Sequence, residues 1–165
     1  MPAARAHSSE SGNGGHGWLK RLIFQIERIT PKLQDLTKRI RSQPEPTVAD
    51  VTEAHDVVMQ LVLVIEEQIH PRRWELIQLA SGAGSSHGLD VALDRLVQSG
   101  QDALSAIEVY KQTLDREHQQ RRSERRSNTR YSSDQKALQR LRQEAAVATS
   151  NLIKESVAFA GAMPL

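Results

Sequence analysis

Cysteine is absent from the sequence, which excludes a disulfide framework, a thiolate metal centre and a cysteine nucleophile. Aromatic residues are scarce, at 4%. That argues against a sheet cored by large rings and leaves Leu, Ile, Val and Ala to build the interior. Long apolar runs are missing too. The most apolar window, VVMQLVLVI at residues 57–65, is about half the ~18 residues needed to cross a bilayer, and Glu66 and Glu67 end it. It reads as a buried core segment. Its β-branched content would suit a strand, but the flanks on both sides keep a helical register. Residues 1–16 contain no apolar stretch of the kind an export signal needs, so an intracellular location is expected.

Signature motifs are equally lacking. Neither GxxxxGK followed by Ser or Thr, nor GxGxxG, nor GxSxG occurs, and the glycine-rich SGAGSSHG (81–88) has no preceding strand to make it a phosphate cradle. The six histidines (His7, His16, His55, His70, His87 and His118) never form a paired metal-binding spacing. Glu67 and His70 make a single Glu-x-x-His without the second copy that a carboxylate-bridged metal pair requires. His55 alone is centred on an apolar stripe, where a hydrogen bond to a neighbouring helix is the expected role. No catalytic, cofactor or metal residue is therefore assigned, and a non-enzymatic chain is expected.

What is present is helical periodicity. Leu22, Ile26, Ile29, Leu33, Leu36 and Ile40 recur at steps of three and four, predicting a first helix over about 17–42 that bends at Pro31 without losing register. The SQPEP segment (42–46) ends it. Thr47, with Asp50 three residues on, opens a second helix whose stripe is Val48, Val51, His55, Val58, Val62, Ile65 and Ile69. Pro71 breaks or bends this helix, and a shorter segment with Trp74, Ile77 and Ala80 on one side is expected to follow.

A third stripe runs through Leu89, Leu93, Leu96, Gly100, Ala103, Ile107, Tyr110 and Leu114. Beyond Leu114 no proline or glycine stops the helix, so it should overrun its apolar stripe before reversing near Asn128. Ser132 and Gln135 can cap a fourth helix carrying Leu138, Leu141, Ala145, Ala148, Leu152 and Phe159. Four helices of matched length with short connections predict an all-α, up-down four-helix bundle over residues 17–160. A flexible polar tail (1–16) should precede it and a C-terminal end (161–165) follow.

Charge is segregated along the chain. Between Arg116 and Arg142 stand nine basic residues (Arg116, Arg121, Arg122, Arg125, Arg126, Arg130, Lys136, Arg140 and Arg142) against three acids, whereas residues 45–115 hold twelve acids and four bases. A basic first helix complements that acidic stretch and helps to fix which helices are neighbours. The basic elbow after the third helix has no such counterpart, and all nine of its cations are candidate partner-binding residues. The leading expectation is an adaptor or assembly subunit binding a protein. Phosphate contacts with nucleic acid are the alternative, weakened by the lack of an aromatic before Tyr131. Docking on an anionic membrane is a third reading, and self-association is a further expectation from the wide apolar face of the second helix.

Overall fold

The computed structural model describes residues 2–82, 86–127 and 135–163, with side chains over 17–80, 88–123 and 135–163. Every described element is helical: α1 (Pro2–Ser42), α2 (Val48–Val64), α3 (Arg73–Gly82), α4 (Ser86–Ser127) and α5 (Gln135–Ala162). A π turn (Ile65–Ile69) and a 3₁₀ turn (His70–Arg72) join α2 to α3 as one bent rod. The four rods form an antiparallel bundle in which α1 packs on α2 and α5, and α4 packs on α2 and α5. This is the expected up-down arrangement.

Each stripe faces the common core. Leu22, Ile26, Leu33, Leu36 and Ile40 from α1, Val51, Val58 and Val62 from α2, and Leu93, Leu96, Ala103, Ile107 and Tyr110 from α4 are all buried. Helix α5 contributes small residues in its middle, Ala145, Ala146 and Thr149, and then Leu152 and Phe159. Three core hydroxyls are satisfied on their own helices: Thr37 donates to the Leu33 carbonyl at 2.7 Å, Ser99 to Leu96 at 2.9 Å and Ser156 to Leu152 at 2.7 Å. Val57, Leu61 and Val64, which widen the apolar face of α2, are covered within the single chain, and only Leu63 of that group is exposed.

Helix α1 runs through Pro31 unbroken. The carbonyl that Pro31 leaves without a donor belongs to Glu27, and both residues are exposed, so the missing bond falls on the solvent side of the helix and not in the core. The backbone of residues 2–16 is helical in place of the expected tail. Pro2 stands in the first turn, where its missing N–H is not needed, and Ala3, Ala4 and Arg5 are strong helix formers. At the other terminus α5 continues through Gly161, and Met163 tucks into the core.

Thr47 caps α2 as expected, its hydroxyl accepting from the Asp50 N–H at 3.1 Å. The Ser132 cap and the reversal at Asn128 lie outside the described residues.

The expected face of α3 needs correction at one residue. Trp74 is 76% exposed, while Ala80 is buried and Ile77 partly buried as expected, with Leu76 completing the core face. Pro71 is accommodated by a widened π turn before it and a tightened 3₁₀ turn around it. Under-rotation in the first and over-rotation in the second roughly cancel, so the stripe of Ile65 and Ile69 carries on to Leu76 and Ala80. Arg73 then ties α3 to α4, donating to the Asp94 carboxylate at 2.7 Å and pairing with Asp90. The hydrogen bond from Arg73 holds the Asp94 carboxyl below the usual carboxylate range. Arg72 lies 4.5 Å above the Trp18 ring and pins the start of the buried part of α1 to the same bend.

Gly100 sits where α4 meets α2 and α5. A Cβ there would meet Val62 Cγ2 at 3.4 Å, Ile65 Cδ1 at 3.5 Å and Leu152 Cδ1 at 3.9 Å, which is ordinary contact. Gly100→Ala should therefore recover helix propensity and raise stability by about 1 kcal/mol, a rise of a few degrees in Tm. Gly100→Leu should overpack the same spot and lower stability by about 1–3 kcal/mol. Thermal melts of both variants check the pair.

A candidate site at the elbow end of the bundle

Helix α4 continues past Leu114 for more than three turns, to Ser127. The register does not stop where the apolar residues do. At the same three- and four-residue steps come Glu117, which is buried, and Arg121, which is half-buried. A helix keeps its phase whatever its side chains, so this face stays turned toward the bundle axis. Opposite it lie the α1–α2 connection and the first turns of α5.

The connection is held by one residue. The Arg142 guanidinium, on α5, donates from Nε to the Ile40 carbonyl at 2.6 Å, from Nη1 to Pro44 at 3.1 Å and from Nη2 to Arg41 at 3.2 Å. Nη2 also donates to the Gln43 carbonyl, and Nη1 reaches the Gln139 side-chain oxygen at 3.5 Å. Those five acceptors occupy the five N–H groups a guanidinium has. The last carbonyls of α1, which have no partner within the helix and carry the negative end of its dipole, thus receive a buried cation.

Arg142 is 9% exposed, which corrects its assignment as a partner-binding residue. Its charge belongs to the fold. Sequence spacing placed it among cations, and nothing local distinguishes it from Arg140, which is exposed and stands 3.8 Å from Glu144.

Between these elements lies a cleft of about 570 Å³. Pro44, Pro46, Val48, Leu114 and Leu138 give it apolar walls, Tyr110 and Glu117 are buried in it, and Arg121, Arg122, His118, Glu45 and Asp115 stand around it. Glu117 is only 4% exposed, and its Oε1 has no hydrogen-bond partner. Arg142 cannot serve it, since all its donors are engaged. Burial pushes the Tyr110 hydroxyl pKa up; the Arg142 charge opposes that and the Glu117 charge adds to it, so both charges lie close to the ring.

The remaining cations divide. Arg116, Arg122, Lys136 and Arg140 are exposed, Arg121 is half-buried against the cleft, the side chains of Arg125 and Arg126 are outside the described residues, and so is the whole of Arg130. No described carboxylate lies within ion-pair distance of Arg116, Arg122 or Lys136.

His55 meets the neighbouring helix as expected, with Nε2 3.3 Å from Glu108 Oε1 on α4; its Nδ1 lies 3.5 Å from Asp56 Oδ1 without a hydrogen bond. Glu67 and His70 are exposed at the π and 3₁₀ turns, and no three His, Asp or Glu side chains among the described residues converge on a common point. No described helix is long and apolar enough to cross a membrane. Comparison with protein-family models, with curated proteins and with solved structures gave no match.

Two substitutions separate the roles of the buried charges. Arg142→Ala leaves four carbonyls without a donor and should cost about 2–4 kcal/mol, with Arg142→Lys recovering only part of it. Glu117→Met removes an unpaired buried carboxylate at similar volume and should stabilise by about 1–3 kcal/mol. Urea midpoints should move in opposite directions for Arg142→Ala and Glu117→Met.

Proposed function

We propose that this chain is a non-enzymatic interaction module, an adaptor or assembly subunit that docks an acidic protein surface on the elbow end of its bundle. One observation carries the reading: Arg116, Arg122, Lys136 and Arg140 are exposed on the two helices that flank residues 128–134, three of them without a described carboxylate in reach. Exposed cations that serve folding are usually paired across or along helices, and even then each pair contributes only about 0.2–1 kcal/mol. The helices fix where these side chains start, and with no described carboxylate in reach three of them have no internal ion pair to break before they meet an acidic partner.

Nucleic acid is the runner-up ligand. A set of arginines and a lysine suits phosphate oxygens, and binding of this kind would depend steeply on salt. The internal use of Arg142 and the half-burial of Arg121 shrink the basic surface from the nine residues expected, which weakens this alternative.

The test is affinity capture with the wild-type chain beside a variant in which Arg116, Arg122, Lys136 and Arg140 are all glutamine, each with and without nuclease. Proteins held by the wild type, lost with the variant and indifferent to nuclease are the expected result. Loss on nuclease treatment moves the function to nucleic acid, and identical capture by both chains removes the elbow from either role. The fourfold variant should melt close to wild type, because these side chains are exposed.

A further inference from the structure

The unpartnered Glu117 oxygen points to a second use of the elbow end, one that does not rest on the macromolecular reading. A carboxylate this deeply buried normally receives two or more donors, because its desolvation otherwise goes uncompensated. The buried cation of the same cleft, Arg142, has every N–H committed to Ile40, Arg41, Gln43, Pro44 and Gln139, and Arg121, four residues on along α4, forms no ion pair with Glu117. Glu117 also lines the cleft. A donor arriving through that cleft completes its shell.

We propose that the cleft is a binding site for a primary ammonium group on an aliphatic chain, with the ammonium on Glu117 and the chain against Pro44, Pro46, Val48, Leu114 and Leu138. The cleft's size is in the range of small-molecule sites, and it sets an apolar wall of Pro44, Pro46, Val48, Leu114 and Leu138 beside a set of polar and charged groups of which Glu117 is buried and unpartnered. A cation is favoured over a neutral donor because the attraction to a buried carboxylate is screened less than at the surface. The rim does not decide the sign, since Glu45 and Asp115 stand against Arg121 and Arg122. The floor does. A metal ion would find too few ligands, as no third His, Asp or Glu among the described residues converges with Glu117 on one point. The ammonium can come from a free amine or from a lysine side chain of a bound polypeptide, and the chemistry at Glu117 is the same.

The experiment titrates the full chain, labelled with ¹³C at glutamate side-chain carboxyls, with n-butylammonium, with the capped peptide acetyl-Gly-Lys-Gly-amide and with n-butanol as the uncharged control. The expected result is a saturable shift of the Glu117 resonance with one or both amines and none with butanol. Response to n-butylammonium assigns a free amine, and response to the peptide alone assigns a protein lysine; either supports the site. Glu117→Gln should weaken the same binding about tenfold or more. If that variant does not fold, the wild-type titration decides alone. No shift with either amine up to about 10 mM, an equal shift with butanol, or equal affinity in Glu117→Gln overturns the proposal.

Discussion

The elbow end depends on a single guanidinium. Arg142 crosses from α5 to gather the carbonyls of Ile40, Arg41, Gln43 and Pro44, and so it fixes where α1 stops, how the chain turns toward Thr47 and how far α5 stands from α1. A buried cation is costly unless paired, and here the partner is the frayed, electronegative end of a helix rather than a carboxylate. The choice has a consequence one turn of packing away. With Arg142 saturated by four backbone oxygens and the Gln139 side chain, it has no N–H left for Glu117, whose Oε1 stays unpartnered beside the cleft.

The core was almost entirely legible in the sequence, because three- and four-residue spacing of apolar side chains dictates which face of a helix is turned inward. Leu22 to Ile40 on α1 and Leu89 to Leu114 on α4 fall on the core as the spacing requires, with only Ile29 left partly covered. On α3 only Trp74 departs from the expected face, for a specific reason. Treating Pro71 as a fresh start made Trp74 the anchor, whereas the phase carried through the π and 3₁₀ turns makes Leu76 the anchor.

The charged site was much less legible. Arg142 and Arg140 are two residues apart in a tract that looks uniform, yet one is a structural clamp and the other is exposed. What separates them is the helical phase relative to α1, which no local window contains. Glu117 was legible in principle: it continues the stripe from Tyr110 and Leu114, and an acid on a core register is a signal that composition hides. Charge counted along a sequence adds buried and exposed groups alike, so it overstates the surface available to a partner.

Both tryptophans of the chain belong to the end of the bundle away from the cleft. Trp18 is partly buried and lies beneath the Arg72 cation, while Trp74 stands in solvent on α3. Intrinsic emission from this protein is therefore a local optical gauge: a red, water-quenchable component from Trp74 and a shielded one from Trp18, both blind to the elbow. Loosening that begins around Arg142 would leave the fluorescence unmoved while backbone ellipticity fell. Any mismatch between the two signals gives the direction in which the bundle comes apart.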